Sequence, residues 1–150
     1  TEHVYVVDDF AHNPAKISAA VQAARGLASR IIAVYQPHGY GPTRFLRKEY
    51  VSTFLEIFRY GDVLILLPIY YAGGTAVKDI SSEDIVRDLA EVRVPFHTEA
   101  ASDRTHLLSL LRENVSAGDC VLLMGARDPS LPVLVRDICI TFGGFISNQS

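Results

Sequence analysis

The sequence predicts an α/β fold: an open, mainly parallel sheet of about five strands with helices on both faces. Short apolar runs alternate with helical periods along the chain. The run Val63 to Leu67 is unbroken, as expected for a parallel strand covered on both sides. A chain of 150 residues is also too short for a closed eight-unit barrel, which takes roughly 250.

Each element has its own signal. His3 to Val7 is β-branched and aromatic and runs into Asp8-Asp9, giving the first strand. Asn13-Pro14 supplies a cap and a first-turn proline, and Ile17, Ala20, Val21 and Ala24 share one face, so Pro14 to Arg25 reads as a helix ended by Gly26. Ile31 to Tyr35 is the second strand, and the Pro/Gly-rich stretch Gln36 to Pro42 a loop. Val51, Phe54, Leu55 and Phe58 then line a helix from about Thr43 to Phe58. Val63 to Leu67 is the third strand. Ser81, with Asp84 three residues on, caps a helix. A fourth strand is expected around Val94-Pro95-Phe96, and a helix from about Arg104 to Val115. Cys120 to Met124 is the fifth strand; Leu131, Leu134, Val135 and Ile138 line the last helix, which ends at Gly143-Gly144. The polar tail Ser147 to Ser150 is expected to fray. Five βα units in a row make a three-layer α/β/α, Rossmann-like open sheet.

Composition excludes several classes. Hydrophobic residues reach 49%, enough for a core, and a net charge of −3 argues against a general nucleic-acid or membrane-surface binder. Two cysteines without a CxxC pair read as reduced core residues, which suits the cytoplasm. The longest apolar run, Val63 to Ile69, is far short of the roughly 20 residues that cross a bilayer. The start at Thr1-Glu2-His3, without an initiator Met, reads as a piece of a longer protein.

In open parallel sheets ligands bind beyond the carboxyl ends of the strands. The residues expected there are Asp8 to Asn13 after strand one, Gln36 to Tyr40 after strand two, and Tyr70, Tyr71, Gly73 and Gly74 after strand three. His97 and Thr98 are expected after strand four, and Gly125 to Asp128 after strand five. No GxxxxGK[ST] and no GxGxxG is present, so this stretch has no phosphate cradle of its own by these criteria. Asp8-Asp9 resembles the acidic pocket of a response-regulator receiver, but Val63 to Leu67 runs into Pro68-Ile69-Tyr70 with no phospho-accepting Asp, and Asp62 lies at the wrong end. His12, His38 and His97 would share one edge, yet none has metal-ligand spacing, and no metal site is expected.

Four ordered segments carry a family resemblance. Asp8-Asp9-Phe10-Ala11-His12-Asn13-Pro14 resembles the DDYAHNP/DDYGHHP segment that opens the C-terminal domain of the Mur ligases, and the D-x-A-H-N-P of folylpolyglutamate synthase. Val34-Tyr35-Gln36-Pro37-His38 with Tyr40, Thr43 and Arg44 resembles the VFQPHRYTRTR segment of the alanine-adding branch of that family. Ile69 to Gly74 is similar to its VYxAGE stretch, and Gly125-Ala126-Arg127-Asp128 to its GAGD loop.

The resemblance implies a Mur ligase C-terminal domain over residues 1–150, with the UDP-sugar domain and the central ATPase domain on other parts of the protein. It implies an ATP-dependent ligase of peptidoglycan precursor synthesis. Such an enzyme joins an amino acid, L-alanine by resemblance, to UDP-N-acetylmuramate through an acyl phosphate. ATP and Mg²⁺ would be held mainly by the central domain. Asp9 would meet the ribose, His12 the γ-phosphate or acyl phosphate as the catalytic contact, and Asn13 the helix cap or the nucleotide. His38, Tyr40, Arg44, Tyr70 and Arg127 would lie near the amino acid. Gly39 and Pro42 stand where the family segment has two arginines, and a bidentate clamp is not replaced by either. Arg44, Arg47 or Arg127 are candidate substitutes. The alternatives are a divergent ligase with another amine or acid substrate, and a non-catalytic α/β interaction module.

Overall fold

The computed structural model describes residues 3–71, 73–125, 129–143 and, for the backbone alone, 145–148. The elements are β1 (Tyr5–Asp9), α1 (Pro14–Arg25), β2 (Ile31–Tyr35), α2 (Tyr40–Ile57), β3 (Val63–Leu66), α3 (Ser82–Glu91), β4 (His97–Ala100), α4 (Arg104–Asn114), β5 (Cys120–Met124), α5 (Leu131–Phe142) and β6 (Phe145–Asn148). They form one six-stranded sheet in the order β4-β3-β2-β5-β1-β6, every pair parallel.

Local chemistry explains the helices. Asn13 Oδ1 accepts from the Lys16 N–H at 2.9 Å, with Pro14 in the first turn of α1. In α3, Asp84 Oδ2 accepts from the Ser81 N–H at 2.9 Å, the reciprocal half of a capping box. α2 starts earlier than its sequence suggests. Pro42 falls inside its first turn, where a missing N–H costs nothing, so the Pro/Gly stretch opens the helix instead of delaying it.

Strand alternation sorts the core into two layers. α1, α2 and α3 pack on one face of the sheet through Ile17, Phe54 and Leu89, against Val7, Ala33, Leu64 and Leu122. α4 and α5 pack on the other through Leu107, Leu111, Leu134 and Ile138, against Val6, Ile32, Ile65 and Leu123. Each fully buried Val, Leu, Ile or Phe among them contributes roughly 1.5–3 kcal/mol of transfer free energy.

Two expectations are corrected. β4 is His97–Ala100 and not Val94-Pro95-Phe96. It is a half-exposed edge strand, so it carries no apolar run, whereas Phe96 is buried as a turn residue packed against Phe58 with ring centroids 5.3 Å apart. Of the expected frayed tail, Ser147 and Asn148 belong to a sixth strand, opposite Val7 and Asp8 of β1, while Gln149 and Ser150 lie outside the described residues. Backbone pairing along a sheet edge needs no apolar pattern.

The amino edge of the sheet is held by two buried carboxylates. Asp62 accepts from Arg25 Nη1 and Nη2 at 2.9 and 2.6 Å, and from the N–H groups of Ile31 and Arg59 at 2.9 and 2.8 Å. Asp119 accepts from Arg30 Nη1 at 2.6 Å and the Ser116 N–H at 2.8 Å. Burial works against the charge on Asp62, but the Arg25 guanidinium and the two N–H donors outweigh it and hold its carboxyl below the usual range. The stabilisation is therefore full above the unfolded carboxyl pKa of about 3.9 and is lost as pH falls below it. Asp62→Ala is expected to cost about 3–5 kcal/mol at neutral pH, because Arg25 is left buried without its anion. Urea denaturation followed by circular dichroism from pH 7 down to about pH 3 should show the deficit shrinking with acid.

Candidate functional site

Parallel register levels the carboxyl ends of the strands. Asp9 lies opposite Met124, Met124 opposite Tyr35, Tyr35 opposite Leu66, and Leu66 opposite Ala100. The loops after β1, β2, β3 and β4 thus leave from one edge. That edge gathers most of the predicted residues.

The first turn sends out Asp9, His12 and Asn13. Asp8 and Asp9 point to opposite faces, following Val6 and Val7. Asp9 lines a cleft of about 310 Å³ on the α1 side, with Phe10, Ala11, Lys16 and Ala19. Its Oδ1 accepts from the Ala11 N–H at 2.8 Å, which fixes the carboxylate against the turn. His12 Nδ1 lies 3.0 Å from the Phe10 carbonyl. A carbonyl only accepts, so Nδ1 carries the proton, and Nε2 has no contact among the described residues. Asn13 spends its Oδ1 on the helix cap.

The second and third turns are zipped together beyond the sheet. The Gly39 N–H donates to the Tyr70 carbonyl at 2.9 Å and the Tyr70 N–H to the Pro37 carbonyl at 2.8 Å. The rings of His38 and Tyr70 stack with centroids 5.4 Å apart, and Tyr40 lies 5.9 Å from Tyr71. Tyr35, at the end of β2, ties these turns to the first: its hydroxyl donates to the His12 carbonyl at 3.4 Å and pairs with Tyr50 at 2.8 Å. Burial, reinforced by Tyr50, pushes the Tyr35 phenol far up, so it stays a protonated donor.

Arg44 lies beside this group but is engaged. Its Nε donates to Asp79 Oδ1 at 2.7 Å and its Nη2 to the Val77 carbonyl at 2.8 Å. Arg47 makes two bonds to Asp88, at 2.6 and 2.9 Å. Arg127, with Ala126 and Asp128, lies outside the described residues. His97 is displaced: it pairs with Val63 at the amino edge, the opposite end from His12 and His38, so the three histidines do not meet. The misplaced fourth strand is the reason. With β4 ending at Ala100, its ligand-edge loop is Ala101 to Asp103, leading into Arg104.

A second cleft, also about 310 Å³, opens on the α4/α5 side and is lined by Gln36, Pro68, Tyr70, Tyr71, Arg104 and Leu131, among others. Sequence reasoning placed Gln36 at the ligand edge without a role of its own and did not single out Arg104. The available signal for Arg104 was its place at the start of a helix following a strand, hidden by the wrong strand boundary. Gly125, at φ +132°, lets β5 pass close to this cleft: a Cβ there would meet the Gln36 carbonyl oxygen at 3.0 Å.

Residues 1–127 match the family described as Mur ligase, glutamate ligase domain. A UDP-N-acetylmuramate–L-alanine ligase of Caldanaerobacter subterraneus is 40% identical over 126 residues, covering 83% of this chain and 26% of the relative. The ligase of the same name from Geotalea daltonii is 35% identical over 127 residues, covering 82% and 26%. The chain thus spans about a quarter of the length of the curated relatives it matches. A crystal structure of a domain of a Haemophilus ducreyi UDP-N-acetylmuramate:L-alanyl-gamma-D-glutamyl-meso-diaminopimelate ligase superposes with a TM-score of 0.63 at 20% identity. It covers 94% of this chain and 93% of that one, and shares the fold.

Two predictions follow from this geometry. Gly39 has φ +79° and a Cβ there would lie 3.2 Å from Pro42 Cδ, whereas at Gly41 nothing lies within 4 Å. Gly39→Arg should lower stability by about 1–3 kcal/mol and Gly41→Arg by much less, read as thermal midpoints. Burial, then the charge of Asp9, raises the Asp8 carboxyl above its ordinary value. A folded pKa above the unfolded one means stability falls as pH rises through it, so Asp8→Asn should raise Tm at neutral pH, with the gain vanishing toward about pH 4.

Proposed function

Because this chain belongs to the Mur ligase family, as its C-terminal domain, we propose that it completes the active site of an ATP-dependent ligase of peptidoglycan precursor synthesis. In this reading the whole protein joins an amino acid to UDP-N-acetylmuramate, and a central ATPase domain and a UDP-sugar domain reside elsewhere in the protein. The observation that carries it is the first turn. Asp9 and His12 leave one loop at the ligand edge, the carboxylate lining a cleft and the imidazole presenting a bare Nε2.

The proposed chemistry uses these groups directly. The acceptor carboxylate is phosphorylated, the amine attacks the acyl phosphate, and the tetrahedral intermediate collapses to an amide with release of phosphate. Asp9 accepts from ribose hydroxyls. His12, with Nδ1–H already given to Phe10, donates to a phosphate oxygen through Nε2 in its protonated form. His38, Tyr40 and Tyr70, held together across two loops, line the approach of the amine, with Arg44 and Arg127 as further contacts; Arg44 reaches a substrate only by leaving Asp79. Closure of this edge on the central domain would exclude water and hold amine and acyl phosphate together.

Mg²⁺ supplies charge neutralisation on the phosphates. In this reading ATP and Mg²⁺ are held mainly by the central domain; among the described residues there is no cluster of three or more His, Cys, Asp or Glu that could hold a metal ion. The family reading places the reaction in the cytoplasm; separately, no described helix is long and apolar enough to cross a membrane. Gly39 and Pro42, at the positions of the family arginines, favour a second version of the same reading, a divergent ligase with a different amine.

The test is ADP release by the full-length protein with ATP, UDP-N-acetylmuramate and a panel of amino acids. Release should require both the UDP sugar and an amino acid. His12→Gln should lower kcat by roughly 100-fold, and Asp9→Asn should raise the KM for ATP by about tenfold. Release that needs neither acceptor nor amine, or that both variants leave intact, would overturn the proposal.

A further inference from the structure

A side chain that must be aimed needs its turn held still, and the turn that carries His12 is mostly bonded to itself. The Ala11 N–H goes to Asp9, His12 Nδ1–H to the Phe10 carbonyl, and the Lys16 N–H to Asn13. These bonds shape the turn but travel with it. Ala11 packs in the core, yet apolar contact is non-directional. Among the described residues one hydrogen bond reaches residues 10–12 from another element: the Tyr35 hydroxyl, at the end of β2, donates to the His12 carbonyl at 3.4 Å.

The proton count gives that contact a direction. Tyr35 and Tyr50 are both buried, with their hydroxyl oxygens 2.8 Å apart. Each phenol has one proton, and the His12 carbonyl can only accept. Both bonds form together in one arrangement alone: Tyr50 donates to Tyr35, and Tyr35 donates to His12. The reverse leaves the carbonyl without its donor. The two tyrosines are therefore not equivalent, since Tyr35 touches the turn and Tyr50 touches only Tyr35.

The Tyr35 ring gives the hydroxyl a fixed base. It packs against Tyr50 and Phe54, with ring centroids 5.5 and 6.3 Å away, inside the layer between the sheet and α2. A buried aromatic ring has two χ angles, and both are locked by these neighbours. At 3.4 Å the bond to His12 is long for a phenol, so its strength lies at the low end for hydrogen bonds. Small displacements of a reacting group are nonetheless costly in rate.

We propose that Tyr35 is a positioning residue: its hydroxyl fixes the His12 turn against the end of β2 and so sets the aim of Nε2, while Tyr50 contributes stability alone. The inference rests on the ligase reading above for what Nε2 meets. The tether itself is a property of the fold and is read separately.

The experiment uses the full-length protein with Tyr35→Phe, Tyr50→Phe, His12→Gln and the double variant Tyr35→Phe/His12→Gln. Each Tyr→Phe change keeps the packed ring and removes one buried hydroxyl, so a purely structural role predicts equal effects on rate. The tether predicts that Tyr35→Phe lowers kcat by about 3- to 10-fold, with the KM values for ATP and amino acid unchanged. Tyr50→Phe should lower the thermal midpoint and leave kcat as it is. In the His12→Gln background Tyr35→Phe should leave kcat unchanged, because no imidazole is left to aim. The His12 Cε1–H resonance, followed by NMR, reads the tether without turnover: Tyr35→Phe should move it and Tyr50→Phe should not. Equal kcat losses in the two Tyr→Phe variants, a Tyr35→Phe loss undiminished in the His12→Gln background, or a resonance that both or neither variant moves overturns the proposal. A protein that releases no ADP but whose His12 resonance moves in Tyr35→Phe alone overturns the ligase reading and keeps the tether. ADP release that drops in His12→Gln and is intact in Tyr35→Phe does the reverse.

Discussion

Every strand of this sheet runs the same way, and the rest of the molecule follows from that constraint. Parallel pairing with the last residues of β1, β5, β2, β3 and β4 level forces each βα loop out of one edge and each αβ return into the other. The two edges then diverge in chemistry. At the amino edge, Asp62 and Asp119 are saturated by arginines and backbone N–H groups and act as staples. At the carboxyl edge, polar groups such as His12 Nε2, Gln36 Oε1 and the Arg104 guanidinium keep unused bonding capacity. A domain with a saturated edge and an unsaturated one has a direction in which to meet a partner.

The unsaturated edge is itself divided by the sheet. Asp9 belongs to the α1 face and Asp8 to the α4/α5 face, because adjacent residues of a strand point opposite ways. One cleft lies on each side. Tyr35 links the turns that border them: it closes β2, donates to the His12 carbonyl and is backed by Tyr50 in the core. It couples the position of the His12 turn to the packing of α2.

The loop after β2 is shaped by its own glycine and proline. Gly39 takes a backbone conformation that few other residues adopt, and α2 starts three residues earlier than expected, at Tyr40, with Pro42 in its first turn. That conformation lets Gly39 and Tyr70 exchange backbone bonds with the adjoining loop. The shape of this loop is therefore set by Gly39 and by its backbone pairing with the loop after β3.

Much of this was legible in the sequence. The limits of α1, β2 and β5 follow from Asn13-Pro14, from β-branched runs and from apolar periods, because those elements are made by local bonds and by burial on both faces. Three of the motif segments likewise placed Asp9, His12, His38, Tyr40 and Tyr70 on one edge, since a parallel α/β order leaves no other place for them. What the linear pattern could not carry was anything decided by a partner distant in the chain. β4 and β6 lie at the sheet edges, where pairing needs only backbone groups, so His97 moved to the far end and a polar tail gained a strand. Whether an arginine is free or engaged depends on an acid brought close by folding: Asp79 takes Arg44, Asp88 takes Arg47, and nothing among the described residues takes Arg104. Local sequence determined which elements form and where their ends lie; tertiary packing alone determined which charges remain unpaired, because electrostatic satisfaction is a property of neighbours in space.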